Sequence, residues 1–321
     1  MTKIGRMACL ALAATLAAAS SARAEYPEKP VKIMVGFPAG GGADILARWY
    51  ADKLQKASGG TFIVENKVGA SGNLALDATA KAKPDGYTVM FASTVTTAGN
   101  THVFKSVPFD VRKDFVPVMH FGETPFVLCV APNSPINSVA DLTAFIRSKG
   151  SKTTYGTATT IALASTIIYL TSVGAEATQV SYKTTANSIT DVTAGQIDFA
   201  FADVVFATGQ AKQGRIKMLA ITSDEPAPSL PQVPPMKAAG IPLGEITPLW
   251  GLWVPTGTPQ PVIDKLGKWM TEISSSPEGK EFMIAQGATP VIGDQASYRK
   301  RFEQAMTSWA KVVATGKVQA Q

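Results

Sequence analysis

The strongest constraint on the fold lies in the stretch Val31 to Leu46, VKIMVGFPAGGGADIL. Val31, Ile33 and Val35 alternate as a strand does, Phe37-Pro38 ends it, three consecutive glycines turn the chain, and a helical pattern opens at Asp44. Glycine reaches dihedrals closed to residues with a Cβ, and Asp44 can accept from free amides at the helix start. The first-turn N–H groups of such a helix point outward with the helix dipole behind them, which favours a bound carboxylate or phosphate. Glycines serving only a tight strand-to-helix turn are the plainer reading of the same stretch.

Neither nucleotide motif is present. A Walker loop needs Lys and Ser or Thr after its last glycine, where Ala43, Asp44 and Ile45 stand. The dinucleotide fingerprint needs a glycine three places after Gly42, and that place holds Ile45.

The strand-turn-helix unit repeats. A helix with Ile45, Trp49, Tyr50 and Leu54 on its apolar stripe stops at Gly59-Gly60, and a strand follows from Thr61 to Glu65. Gly69-Ala-Ser-Gly-Asn73 then turns into a helix from Leu74 to Lys83, and strand Tyr87 to Phe91 opens into a hydroxyl-rich loop, Ala92 to Asn100. In an α/β sheet such turns lie together beyond the carboxyl ends of the strands, where ligands bind. A second α/β unit is expected from the apolar run Phe126 to Ala131 onward, with helices at 139–149, 161–173 and 184–194 and strands near 153–155 and 179–182. The nearly all-apolar strand Ile197 to Ala202 delivers Asp203 to the sheet edge, where it either caps the next segment or selects a ligand bearing a donor. Strand Ile216 to Thr222 leads into an extended surface connection, Pro226 to Pro235. Pro248 to Pro255 returns as a strand to the first unit, and helices at 261–274, 277–286 and 296–314 finish the chain, with Trp269 and Trp309 as packing residues.

Location and chemistry are bounded by composition. Lys3 and Arg6 precede an apolar run, Met7 to Ala19, and Ala22-Arg23-Ala24 offers a small-x-small cleavage site, so residues 1–24 read as a secretory signal peptide cut after Ala24. The apolar run is shorter than the ~20 residues of a membrane span. Removing the three cations of the signal from the chain's 30 leaves 27 basic against 24 acidic residues, too mild and too dispersed an excess for nucleic acid. Cys129 is then the only cysteine, expected as a buried small hydrophobe, so no intrachain disulfide can form. His102 and His120, expected in connecting segments, are the only histidines, and no GxSxG elbow occurs. No metal, cofactor or catalytic set is expected.

The ordered motifs FPAGGGAD (Phe37 to Asp44), GASGN (Gly69 to Asn73), PDGYT (Pro84 to Thr88), YGTA (Tyr155 to Ala158), SYK (Ser181 to Lys183), GQID (Gly195 to Asp198) and GTP (Gly257 to Pro259) resemble the Bug or TctC-like family, periplasmic solute-binding receptors of tripartite tricarboxylate transporters. The resemblance implies a two-domain type II periplasmic-binding-protein (Venus-flytrap) α/β fold with two crossovers. The domains it implies are 25–124 plus 248–321, and 125–247. It further implies a small carboxylate, aliphatic or aromatic, held in the cleft and delivered to membrane permease subunits. The family pattern places that carboxylate on Phe37, Ala39, Gly40 and Gly41, with Ser93 or Thr94 beside it and Thr157, Thr159 and Thr160 opposite; Thr184 and Asp203 complete the candidate set. Where relatives carry further glycines in the facing loop this chain has Thr159, Thr160, Ile161 and Ala162; Thr184 replaces the glycine after SYK, and the carboxylate that aligns with Ala202 stands instead at Asp203. Lys183 is a candidate partner for a distal carboxylate. The alternative roles are a sensing subunit of a two-component system and, less favoured, an exported enzyme using only carboxylates.

Overall fold

The computed structural model of the chain describes residues 26–241 and 243–314. The expected export signal lies outside the described residues.

The first unit forms as the sequence pattern dictates. Strand β1 (Val31–Val35), helix α1 (Gly42–Ser58), strand β2 (Phe62–Asn66), helix α2 (Asn73–Ala80) and strand β3 (Thr88–Ser93) follow one another, with β2 and β3 both parallel to β1. Two short helices, α3 (Asn100–Val103) and α4 (Val111–Asp114), lead to the long strand β4 (Phe115–Glu123). The second unit runs β5 (Phe126–Val130), α5 (Val139–Lys149), β6 (Thr154–Thr157), α6 (Thr160–Ser172), β7 (Thr178–Ser181), α7 (Thr185–Thr193), β8 (Phe199–Asp203), α8 (Val204–Lys212) and β9 (Lys217–Ile221). The chain then returns through β10 (Leu249–Pro255), α9 (Gln260–Ser275), α10 (Pro277–Ala285), β11 (Thr289–Gly293) and α11 (Gln295–Ala314).

These strands make two mixed sheets, ordered β11-β4-β10-β3-β1-β2 and β7-β6-β8-β5-β9. The chain crosses between them twice, at Thr124-Pro125 and over residues 222–248. The crossings are bonded side by side: Thr124 N donates to Pro248 O (3.0 Å), and the Trp250 indole N–H donates to Thr124 Oγ1 (2.5 Å). Phe126 N and Thr222 Oγ1 (2.8 Å), with Thr222 N and Phe126 O (2.8 Å), repeat the tie one step further on.

Several local expectations are corrected. The hydroxyl-rich segment after β3 is not an open loop; Val95–Gly99 winds as a π-helical turn whose residues are all buried. β4 escaped the sequence reading because Pro117 interrupts its pattern; it lies opposite Trp253 at a shift in register, where the missing N–H costs least. The proline-rich connection is not wholly superficial. Successive i→i+3 turns carry Ala227, Leu230 and Val233 inward, and each is buried. His120 lies within β4 rather than in a connection, its ring bonded to Val291 O (2.8 Å) and Ser297 Oγ (3.0 Å). Cys129 and Trp309 are buried as expected, while half-buried Trp269 stacks on Tyr26.

One side chain clamps α11 to the central strands. Tyr298 is fully buried; its hydroxyl donates to Ala92 O (3.1 Å) and accepts from Trp253 Nε1 (2.8 Å). Gly251 beneath it leaves the room, since a Cβ there would lie 2.4 Å from the ring and 2.3 Å from Met119 O. Tyr298→Phe leaves a buried donor and acceptor unpaired, so the unfolding free energy should fall by about 1–3 kcal/mol at unchanged denaturant slope. A loss below about 0.5 kcal/mol in urea titrations would contradict this role.

Candidate functional site

Helix starts from both sheets meet across the cleft. An inner compartment of about 310 Å³ and an outer one of about 410 Å³ are joined at a waist that both share, formed by Phe37, Pro38, Ser71, Thr159 and Thr160. The N-cap residues of α1, α6, α7 and α8, namely Gly41, Thr159, Thr184 and Asp203, all line the inner compartment. Thr159 Oγ1 accepts from Ala162 N (3.3 Å) and Thr184 Oγ1 from Asn187 N (3.1 Å). Gly41 has no side chain to cap α1. The positive ends of several helix dipoles therefore lie at one compartment.

The glycine turn is held from within. Asp44 reaches back so that its Oδ2 accepts from Gly40 N (2.9 Å) and Arg48 Nε (2.8 Å), while Oδ1 accepts from Asn66 Nδ2 (2.9 Å). Burial pushes the Asp44 carboxyl up, and these donors together outweigh it, holding the carboxyl below its usual range. Gly40 adopts φ 78°, the left-handed region in which glycine is unstrained. Gly41 N donates to Pro38 O (3.2 Å). The amides of Gly40 and Gly41 thus donate within the turn.

Of the candidate residues, Phe37, Ala39, Gly40, Gly41, Ser93, Thr159, Thr160, Thr184 and Asp203 line the inner compartment together. Two do not. Thr94 is buried at the second crossing, where its hydroxyl accepts from Leu249 N (3.1 Å). Thr157 lines the outer compartment and accepts from Gln179 Nε2 (2.8 Å). Thr160 lines the cavity with its hydroxyl spent, donating to Asn100 Oδ1 (2.7 Å) on the opposite side of the cleft. Lys183 stands in the outer compartment only.

The sequence reading missed much of the wall. Phe126, Val205, Phe206 and Trp250 line it, and Ser71 and Thr185 add hydroxyls with no partner among the described residues. Ser71 carried a signal, its place in the second glycine turn. Trp250 carried none, because a tryptophan in an apolar strand reads as core.

Asp203 is the singular residue of the cavity. Its Oδ1 caps α8 by accepting from Phe206 N (2.8 Å) and lies so close to α1 that a Cβ on Gly42 would be 2.0 Å from it. Removal from water pushes its carboxyl up to about 6. A raised folded pKa means that, between about pH 4 and 6, the folded chain holds a proton the unfolded chain has lost, so stability falls as pH rises through that window. Asp203→Asn removes this dependence and keeps the cap. From pH 4 to pH 7 its unfolding free energy should gain about 2–3 kcal/mol on the wild type; parallel pH profiles would contradict the assignment.

Comparison with known proteins follows the same lines. The profile of the tripartite tricarboxylate transporter family receptor, TctC, matches residues 46–317. Protein BugT of Bordetella pertussis is 31% identical over 294 residues, covering 90% of this chain and 89% of its own. Among solved structures, R. palustris Rpa4515 with adipate superposes with a TM-score of 0.87 at 29% identity, covering 91% of this chain and 98% of that one. The periplasmic binding protein BugD gives 0.86 at 27% identity, covering 92% and 100%. Glycine turn, paired sheets, double crossing and sequence similarity agree, and the chain belongs to the TctC family of tripartite tricarboxylate transporter receptors.

Proposed function

We propose that this chain is an extracytoplasmic receptor that captures a small organic carboxylate between its two sheets and hands it, unchanged, to the membrane permease of a tripartite tricarboxylate transporter. The observation that carries the reading is the waist of the cleft. There the first turn of α6 and the free hydroxyl of Ser71 approach from opposite sheets, in a space walled by Phe37 and Pro38. Hydrogen bonds to a charged group contribute roughly 1.5–3 kcal/mol each, so three or four support the about −8 kcal/mol of micromolar binding after ordering costs. The adipate bound by Rpa4515 agrees with this ligand class. Among the described residues no group of three His, Cys, Asp or Glu could hold a metal, and no helix is long and apolar enough to cross a membrane.

Capture requires the halves to meet, and Gly42 is one place where they do. A Cβ there would sit 2.0 Å from Asp203 Oδ1 and 3.1 Å from Val205 Cβ. Gly42→Ala should therefore oppose closure and weaken ligand binding tenfold or more, while alanine's better helix propensity preserves the unliganded fold. The reading is tested by thermal shift against mono-, di- and tricarboxylates and their primary amides. A ligand at 100 times its dissociation constant should add about 2.7 kcal/mol. A selective shift with carboxylates supports the reading; equal shifts with the amides, or none with any acid, reject it.

A further inference from the structure

The cleft is polarised along its length, and its inner end carries the wrong sign for a second carboxylate. Lys183 lines the outer compartment and not the inner, Ser71 and Thr159 line both, and Asp203 lines the inner and not the outer. Asp203 is the only ionisable side chain on the inner wall, which among the described residues contains no Lys, Arg or His. Its Oδ1 accepts from Phe206 N, and it is the one acidic group on that wall. The inner wall is largely apolar, with Phe126, Ile161, Val205, Phe206 and Trp250 among its residues.

From this arrangement we infer that Asp203 sets the selectivity of the receptor: the ligand is a carboxylate with an apolar body and a hydrogen-bond donor, hydroxyl or ammonium, at its far end, and dicarboxylates are rejected. The inference rests on the carboxylate reading above. Two like charges held close together in the cleft repel, whereas an ammonium or hydroxyl can donate to the Asp203 carboxylate. The α8 cap fixes the carboxylate in place, so it cannot swing aside to admit a second anion. A wall carrying five large apolar side chains favours an unbranched or aromatic body over a short polyhydroxylated one.

The test uses two matched series, titrated calorimetrically at pH 8, where Asp203 is ionised. One is hexanoate, 6-hydroxyhexanoate, 6-aminohexanoate and adipate; the other is benzoate, 4-hydroxybenzoate, 4-(aminomethyl)benzoate and terephthalate. In at least one series the wild type should bind a donor-bearing member at least tenfold more tightly than both the plain monocarboxylate and the dicarboxylate. Asp203→Asn keeps the acceptor for Phe206 N, and should lose tenfold or more for the ammonium compound while gaining for the dicarboxylate. Dicarboxylate or plain acid bound as tightly as the donor-bearing acid by the wild type overturns the inference and leaves the carboxylate reading standing. So does an unchanged order of preference in the variant. Failure of every acid in both series to bind the wild type overturns both. The wild-type comparison decides the matter even if the variant does not fold.

Discussion

One buried amide joins the two halves of the molecule. Asn100 is fully buried; its Nδ2 donates to Ser71 O (3.0 Å) and Asn73 Oδ1 (2.7 Å), and its Oδ1 accepts from Thr160 Oγ1 (2.7 Å) across the cleft. That side chain therefore binds the second glycine turn, the start of α2 and the start of α6 into a single network. A buried amide left half-satisfied is expensive, so the network holds its members in register or fails as a unit. The waist of the cleft owes its shape to this node, because Ser71 and Thr160 are both waist residues and both are fixed by it.

The first glycine turn answers to a second carboxylate, and the division of labour between two aspartates explains the site. Asp44 is wholly occupied by Gly40, Arg48 and Asn66, and is structural. Asp203 caps its helix through Oδ1 and also lines the cavity. Opposite it, Gly42 permits an approach that any side chain would block. Behind both, Trp250 bonds to Thr124 at the crossings and also lines the cavity. A change at the crossings is thus felt at the wall of the site.

Much of this was legible in the residues. Alternating apolar strands, glycine turns and helix starts placed most elements of both units, though not α3, α4, β4, α8 or β11, because each placed element obeys a local period or cap. Asp203 was legible as a cap for the same reason. What was lost depended on contacts between distant segments. Pro117 hides a strand whose pairing with β10 bends around the missing N–H. Gly40 N is held by the reach of Asp44 and Gly41 N by Pro38 O, choices the sequence permits without requiring. Thr94 and Thr157 stand at the expected strand ends, yet the neighbouring Leu249 and Gln179 claim their hydroxyls. The winding of Val95–Gly99 reflects burial against α11, where a Cβ on Gly99 would meet the Trp309 ring at 2.7 Å. No period announces that.

The central claim is that the cleft recognises a carboxylate through helix starts and hydroxyls rather than through a cation. Native mass spectrometry of the protein exposed to equimolar mixtures of acids and their primary amides measures this directly. The account predicts that one equivalent of acid is retained and the matching amide is not, with little loss on raising the volatile salt. Equal retention of acid and amide, or retention only of compounds without an acidic group, would contradict it.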